Sequence, residues 1–270
     1  MLLDETNRPV WDSWASQFAD ADSWTDRGER AAIASIADEV RGKAILDVGV
    51  GAGRSTWLLR LLSAHYVAVD YTPAMVDLCR RNHPDVDVRK GDARRLTEMQ
   101  NKSFDLVVFS FNGLDAISHD DRGSALGEFW RVLRPGGLLL FSTLNKDGPA
   151  FGEAPWQVGR GQPTSKGRLY RTVKVAGTFP YNANRYAHSY RNWWRGRTQN
   201  EDHGSWGISL LSAHDFGLLV HYNTLPGQRM ELLDAGFSLR DVWKDSGERV
   251  AETDHSTAVY HHLVAEKVED

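Results

Sequence analysis

The chain has 270 residues, of which 41% are hydrophobic and 25% are charged, a composition typical of an ordinary globular protein. Its formal net charge of −4 excludes the strongly basic composition of a general nucleic-acid-binding protein. Cys79 is the single cysteine, which excludes an internal disulfide framework and a cysteine-based zinc site. The N-terminal residues lack the apolar core of a signal peptide, and no apolar run approaches the ~20 residues that cross a membrane. We therefore expect a cytoplasmic protein without a membrane span, and we predict no metal site.

The first half of the chain alternates between strand patterns and helix patterns. Short apolar runs predict strands at 44–48, 66–69, 86–88, 104–111 and 138–143. Helical spacing of apolar residues predicts helices over 27–40, 55–64, 73–82 and from Asp120 or Asp121 to about Leu133. Thr72 and Pro73 look like a helix cap followed by proline at the first helical position. The alternation predicts an α/β fold, with a mostly parallel sheet and helices on both of its faces.

This alternation stops between about Lys146 and Ser212, in a stretch rich in Gly, Pro, Asn, Arg and aromatic residues. It resumes with a predicted strand at 217–222, a helix at about 225–235 and strands at 237–243 and 258–266. We therefore expect three parts: an N-terminal lid segment of residues 1–26, a core of residues 27–145 and 215–270, and a substrate-lid insertion of residues 146–214.

The loop after the first predicted strand is rich in glycine. Residues 44–56 read AILDVGVGAGRST, but the dinucleotide fingerprint G-x-G-x-x-G fails, because its third glycine position holds Arg54 or Thr56 in the two possible registers. The pattern of the phosphate-binding loop of nucleoside triphosphatases is absent too, because no Gly-Lys-Ser/Thr follows the glycines. Asp47 at the loop entrance would repel a pyrophosphate. It would suit a ligand with a cationic or amine-bearing end.

Two further aspartates follow strands in the predicted sheet. Asp70 ends the second strand, 19 residues after Gly51, where a carboxylate can accept hydrogen bonds from ribose hydroxyls. Asp92 follows the third strand and can accept from an exocyclic amine. A nucleoside that carries an amino-acid tail satisfies all three carboxylates. S-adenosylmethionine is such a molecule, with a zwitterionic tail, a cationic sulfur and no phosphate.

Five segments in order and spacing resemble the class I, Rossmann-like S-adenosylmethionine-dependent methyltransferases of the small-molecule type. They are ILDVGVGAGRST (45–56), VAVDYTPAMV (67–76), KGDARRL (90–96), FDLVVFSFNGLD (104–115) and RVLRPGGLLLFST (131–143). The resemblance covers about residues 28–145 and implies a seven-stranded, mostly parallel sheet. It also implies S-adenosylmethionine as cofactor and S-adenosylhomocysteine as product.

By position, the resemblance implies a role for each residue around the cofactor. The glycines Gly49, Gly51 and Gly53 would let the backbone approach the methionine end, with Asp47 at its amino group and Arg54 at its carboxylate. Asp70 would bind the ribose. The adenine would contact Tyr71, Met75, Asp92 and Ala93, and the methyl group would lie beside Phe111 and Asn112. Two plainer interpretations stay open, in which Asp47 caps the next helix and Arg54 is a solvated helix residue.

The insertion is the region that the resemblance leaves unassigned. It carries a net charge of +6 and many aromatic residues, which suit a planar, apolar or anionic acceptor. Trp14, Tyr186 and Trp193 are our candidates for acceptor contacts, although most of the aromatics suit the small core of a lid equally well. His214, followed by Asp215, is the leading candidate for a general base, ahead of His188 and His203. His119, Asp120 and Asp121 resemble a catalytic cluster, but a helix N-terminus explains them more simply.

The expected activity is methyl transfer to a small molecule, with the acceptor atom (O, N or C) left open. The segment SFNGLD at 110–115 lacks the Asp/Asn-Pro-Pro-Tyr/Phe pattern of enzymes that methylate amino groups of DNA bases or glutamine, so nucleic acid is a less favoured partner. The alternatives are a tRNA or rRNA methyltransferase that uses the basic insertion, a nicotinamide-dependent oxidoreductase, and a cofactor-binding module without activity. The oligomeric state is not predicted.

Overall fold

The computed structural model describes residue Asn7 and residues 25–158, 183–251 and 256–268. Its strands are β1 (Ile45–Val48), β2 (Tyr66–Asp70), β3 (Asp87–Lys90), β4 (Phe104–Phe109), β5 (Leu133–Leu144), β6 (Glu201–Asp202), β7 (Trp206–Leu210), β8 (Leu219–Asn223), β9 (Phe237–Lys244) and β10 (Tyr260–Lys267). Its helices are α1 (Arg27–Val40), α2 (Thr56–Leu62), α3 (Pro73–Asn82), α4 (His119–Val132), α5 (183–196) and α6 (Leu225–Asp234). None of the helices in this part of the chain is long and apolar enough to span a bilayer.

Seven strands form one sheet in the order β3-β2-β1-β4-β5-β10-β9. The first five run parallel, and β10 is antiparallel to both of its neighbours. Leu46 and Val107 pack under α4 and α6 on one face, while Ile45 and Leu106 pack under α1, α2 and α3 on the other. The predicted α/β fold, a mostly parallel seven-stranded sheet with helices on both faces, is confirmed.

Element ends differ from the predictions where side chains compete for backbone groups. Helix α4 is capped by Ser118, whose hydroxyl accepts from the Asp121 amide, so Asp120 and Asp121 lie in its first turn instead of capping it. Thr72 holds the cap position of α3, but its side chain makes no capping bond. Strand β4 ends at Phe109, two residues before the predicted end, because Phe111 and the next residue adopt positive φ angles. Such angles do not continue a strand.

A second, three-stranded antiparallel sheet has the order β6-β7-β8. The predicted strand at 217–222 was expected to resume the main sheet. The structure instead places β8 in the second sheet, where Leu219 pairs with Leu210 and Asn223 pairs with Trp206. A hairpin of this kind satisfies the backbone of both strands locally, so β8 needs no partner in the main sheet. The boundary expected at 214/215 falls inside this hairpin.

The second sheet is fixed to the rest of the molecule at both ends of β8. Asn223 forms a bridge with Asn145, directly after β5, so the sheet continues from the carboxyl end of that strand. At the other end, the side-chain amide of Asn7 donates to the Leu219 carbonyl and its oxygen accepts from the Leu219 amide. Strand β8 also packs against the 3-10 turn Gly113–Ala116, which follows β4.

Candidate functional site

The glycine loop lies at the point of the main sheet where β1 has β2 on one side and β4 on the other, and where the loops after β1 and β4 diverge. Ligands of open α/β sheets bind at this switch point. Gly49, Gly51 and Gly53 all have positive φ angles. A Cβ at Gly49 would lie 2.6 Å from the Phe109 ring, whereas a Cβ at Gly51 would meet no described atom within 4 Å. The loop therefore presents its backbone to open space at Gly51.

Asp70 closes this space at the end of β2. Its Oδ2 accepts a 3.0 Å hydrogen bond from the Gly51 amide, and its Oδ1 accepts a 2.8 Å bond from the Thr72 amide. Burial raises the pKa of the carboxyl, and the two amide donors oppose that rise. The carboxylate is thus held in one orientation beside the glycine loop. Tyr71 follows it, half-buried, and Met75 is buried in the first turn of α3.

Asp92 and Ala93 lie after β3, as predicted. One carboxylate oxygen of Asp92 accepts from the Arg94 amide at 2.9 Å, and the Arg94 guanidinium binds both oxygens. Arg94 also reaches Asp121 at the start of α4. The arginine thus links Asp92 to α4, a contact that its position in the sequence did not indicate.

Asp47 has a different environment from the one that the resemblance implied. Its Oδ2 accepts a 2.6 Å hydrogen bond from the Tyr66 hydroxyl and one of 3.3 Å from the Ser55 hydroxyl, which lies directly before α2. Burial raises the pKa of this carboxyl to about 7, and both hydroxyl donors act against the rise. Asp47 therefore ties β1 and β2 to the residue before α2 through two hydroxyls, and none of the described contacts is a bond to a backbone amide of that helix.

Arg54 is paired with a residue that the sequence did not single out. Its Nη1 and Nη2 donate to the two carboxylate oxygens of Glu29 at 2.6 and 2.8 Å, and Nη2 also reaches the Ser110 hydroxyl at 3.1 Å. The guanidinium lies over the Phe111 ring, 5.0 Å from its centroid. The interpretation of Arg54 as a solvated residue is wrong, because only 15% of its side chain is exposed. An acidic residue in the first turn of a helix directly before β1 was the available signal for Glu29.

Asn112 follows Phe111 in the loop after β4. Its amide donates a 2.7 Å hydrogen bond to the Ser142 hydroxyl of β5, and its φ angle is +61°. Its side-chain Oδ1 is buried and has no hydrogen-bond partner among the described residues. A buried acceptor without a donor is costly, so this oxygen points to a donor supplied by a ligand or by water.

Below this loop, a buried charge network joins the main sheet to α6. Asp115 accepts from the Thr143 hydroxyl and the Leu144 amide, both at 2.7 Å, and from Arg122 at 3.1 Å. Arg122 is fully buried and also binds Glu231 through two bonds of 2.6 and 2.8 Å. The network fixes the backbone at the carboxyl ends of β4 and β5.

His214 lies in the 3-10 turn Ser212–His214, at the tip of the β7–β8 hairpin. This tip is the end of the second sheet opposite to the Asn145–Asn223 bridge. Burial lowers the pKa of its imidazole. The neighbouring Asp215 is held by Arg185 and Ser189 of α5. None of these contacts connects His214 to the glycine loop.

A different histidine lies next to the loop after β4. The Nδ1 atom of His119, the first residue of α4, is 3.1 Å from Nε2 of the buried His221 on β8. The Trp206 ring stacks on the His119 ring with centroids 3.7 Å apart, and it also stacks on the His203 ring at 3.9 Å. Burial lowers the pKa of both His119 and His221, which favours neutral imidazoles.

The two candidate acceptor contacts that the structure describes, Tyr186 and Trp193, both lie on α5. Trp193 packs against Leu210, Phe216 and Leu219, and its ring meets that of Trp156 edge-on at 4.9 Å, which agrees with a small lid core. Tyr186 lies on α5 and is 37% exposed. Trp14 lies outside the described residues.

Comparison with known proteins assigns one segment of the chain. Residues 45–137 match the family model described as a methyltransferase domain. The fold around this segment is Rossmann-like, as in the solved structures described below. Over 131 residues it is 34% identical to the malonyl-[acyl-carrier protein] O-methyltransferase of Yersinia pestis, with 48% of this chain and 47% of that protein covered. Over 123 residues it is 34% identical to the demethylmenaquinone methyltransferase of Renibacterium salmoninarum, covering 46% and 49%. The chain thus spans about half the length of the curated relatives it matches.

The solved structures extend the likeness of the fold beyond the methyltransferase domain. The 1,6-didemethyltoxoflavin-N1-methyltransferase of Burkholderia thailandensis has a TM-score of 0.58 at 18% identity, over 98% of this chain and 88% of that one. A methyltransferase from Clostridium acetobutylicum has a TM-score of 0.59 at 11% identity, over 96% and 100%.

Methyltransferase domains of this class use S-adenosylmethionine, so the cofactor prediction is confirmed and the nicotinamide alternative is wrong. The residues of the site fit that cofactor. The backbone opens at Gly51, Asp70 is oriented by two amides, Asn112 holds a buried acceptor, and no lysine or third fingerprint glycine serves a phosphate.

Proposed function

We propose that the protein transfers a methyl group from S-adenosylmethionine to a small-molecule acceptor that is aromatic or anionic. The observation that carries the proposal is the fixed Asp70 carboxylate beside the open backbone of Gly51, inside a methyltransferase domain. The curated relatives named above act, by name, on a carrier-protein thioester and a quinone precursor. These names support a methyl acceptor other than nucleic acid.

Within this proposal, every predicted cofactor residue except Asp47 has a task. Asp70 binds the ribose hydroxyls, Tyr71 and Met75 hold the adenine ring, and Asp92 with the Ala93 backbone binds its amine and ring edge. The glycines Gly49, Gly51 and Gly53 leave room for the methionine end, and Arg54 serves its carboxylate. Phe111 and Asn112 bound the space beside the methyl group.

When bound, S-adenosylmethionine supplies an electrophilic methyl group on a sulfonium. The chain's own residues then have to position the acceptor in line with it and exclude water. The second sheet and α5 suit that task, because β8 packs against the turn that follows Phe111 and Asn112. The aromatic residues Tyr186, Trp193 and Trp14 are the proposed acceptor contacts.

An acceptor that carries a hydroxyl or an acidic carbon also needs a proton acceptor. His214 was the sequence-based candidate for this base. The contacts of His119 make it the stronger candidate, because it opens α4 directly after the loop that follows β4 and is paired with a buried imidazole. We propose His119 for this role, with His214 as the alternative.

Isothermal titration with S-adenosylmethionine and S-adenosylhomocysteine tests the proposal. We expect binding by the wild type and a loss of at least about tenfold in Asp70→Asn, because an amide binds ribose hydroxyls less strongly than a carboxylate does. Release of S-adenosylhomocysteine in the presence of phenolic, amine and carboxylate acceptors then gives the activity. The same assay with His119→Asn and His214→Asn separates the two base candidates. A wild type that binds neither compound would reject the proposal.

A further inference from the structure

Glu29 lies at the switch point of the main sheet, although it comes from a helix that precedes the whole sheet. Its carboxylate is 2% exposed and is held by both terminal nitrogens of Arg54. Arg54 follows the glycine loop after β1, and Ser110, which shares its Nη2, follows β4. Glu29 therefore contacts the loop after β1 directly and is linked to the loop after β4 through Arg54.

Acidic groups surround Arg54. Burial lowers the pKa of its guanidinium, but the carboxylates of Glu29, Asp47 and Asp26 outweigh that effect and raise it. Asp26 also lies 3.0 Å from the His262 ring nitrogen. This acidic surrounding favours a ligand that brings positive charge to this corner of the site.

Asp47 is poorly placed to meet that charge. Its Oδ2 is already bonded to the Tyr66 and Ser55 hydroxyls, and its pKa of about 7 leaves it partly protonated at neutral pH. Among the described residues, the carboxylate of Glu29 is paired with the side chain of Arg54 alone. An exchange of partners therefore breaks one ion pair at Glu29, whereas at Asp47 it breaks two buried hydroxyl hydrogen bonds.

We propose that Glu29 binds the ammonium group of the cofactor's amino-acid tail, while Arg54 turns from Glu29 to the tail's carboxylate. The inference rests on the proposed function, and it adds a cofactor-binding residue that the sequence did not indicate. In the exchange, one internal ion pair is replaced by two intermolecular ion pairs. Both side chains have a partner before and after, which matters because a buried charge without a partner is strongly destabilising.

A purely structural role is the competing explanation, in which the ion pair only ties α1 to the glycine loop. The two explanations differ in what Glu29 recognises. If Glu29 is purely structural, removing its charge changes the affinity for all ligands alike. If it binds the ammonium, removing its charge changes the affinity only for ligands that carry the amine.

Titration calorimetry with three ligands separates these explanations. S-adenosylhomocysteine carries the full tail, S-adenosyl-3-thiopropylamine carries the amine without the carboxylate, and 5′-methylthioadenosine carries neither. The variants are Glu29→Gln and, as a matched control on the same helix, Glu39→Gln, whose carboxylate pairs with Arg240 away from the site. The double variant Glu29→Gln with Arg54→Gln leaves neither partner charged. It replaces the single variant in the titrations if Glu29→Gln does not fold.

In the wild type, we expect the thiopropylamine to bind more tightly than methylthioadenosine. In Glu29→Gln and in the double variant, we expect that advantage to fall by at least about tenfold, because charged hydrogen bonds are the strong ones. The affinity for methylthioadenosine should stay within about twofold, and Glu39→Gln should change neither. If Glu29→Gln weakens all ligands equally, or if the amine gives the wild type no advantage, the inference is overturned. A wild type that binds none of the three overturns the proposed function as well.

Discussion

Residues 45–144 and residues 145–223 place their side chains by different means. In the first region the site residues follow neighbouring parallel strands, so that the Gly51 amide meets the Asp70 carboxylate, 19 positions away. The second region is placed by contacts between distant side chains, such as His221 with His119 of the first region, 102 positions apart, or Arg185 with Asp215. The residues of a cofactor site that follow the ends of neighbouring strands can be predicted from their spacing in the sequence. The residues of a site that depends on contacts between distant side chains cannot.

The largest expected effect concerns the buried network that joins the first region to α6, compared with an exposed ion pair of the second region. Arg122→Met removes the buried partner of Asp115 and Glu231, and we expect it to lower the free energy of unfolding by about 3–5 kcal/mol. Arg185→Met removes an ion pair whose arginine side chain is 64% exposed, and we expect less than about 1 kcal/mol. Urea denaturation of both variants measures the difference. Equal losses would show that the buried network stabilises the fold no more than the exposed ion pair does.

A smaller effect compares two glycines with left-handed backbones, one in each region. Gly49→Ala adds a Cβ 2.6 Å from the Phe109 ring, so we expect strain of about 2–3 kcal/mol and at least about tenfold weaker S-adenosylhomocysteine binding. Gly204→Ala, next to the start of β7, meets no described atom within 4 Å and should cost only about 1–2 kcal/mol of backbone strain. Calorimetric titration and denaturation report both quantities. A loss of binding in Gly204→Ala would contradict the assignment of the cofactor to the first region.

The last effect is a dependence on pH that arises in the first region and is small within any one pH unit. Burial raises the pKa of Asp47 from its ordinary value of 3.8 to about 7, so the folded chain keeps a proton that the unfolded chain has lost. Stability from this carboxyl is therefore present below about pH 4 and is lost as the pH rises to about 7. Asp47→Asn should become less destabilising, relative to wild type, by up to about 1.4 kcal/mol per pH unit between pH 5 and 7. Denaturation at pH 5, 6, 7 and 8 measures this trend, and a constant difference would refute it.

Much of the first region was predictable, because its elements follow local rules. Three local signals were enough to place elements: the apolar run before the glycine loop, the aspartate at the end of β2 and the proline that opens α3. The bounds of β1, β2 and α3 lie within one residue of the predictions. The resemblance then supplied the cofactor. Its residue roles stay predictions, and Asp47 shows why they need testing, since the position matches the motif while its carboxylate turns to Tyr66.

The parts that the sequence did not predict are those decided by competition between distant groups. Nothing near Glu29 in the sequence shows that a loop residue 25 positions later will reach it. In sequence, β8 looks like a strand of the main sheet, and only its pairing with the adjacent β7 places it in a separate sheet. The pairing of His119 with His221 likewise depends on how β8 lies over the loop after β4.

The hydrogen bonds of Asn7 bear on whether a second chain can add a strand at the edge of the second sheet. Strand β8 is an edge of the second sheet, and an edge strand offers backbone groups on which another chain can add a strand and start aggregation. The Asn7 amide occupies both backbone groups of Leu219, and the bridge to Asn145 occupies the other end at Asn223. Among the described residues, 220–222 are left between these two closures, which shortens the edge that another chain could pair with. A single asparagine, 212 positions away in the chain, therefore blocks part of this edge against strand addition.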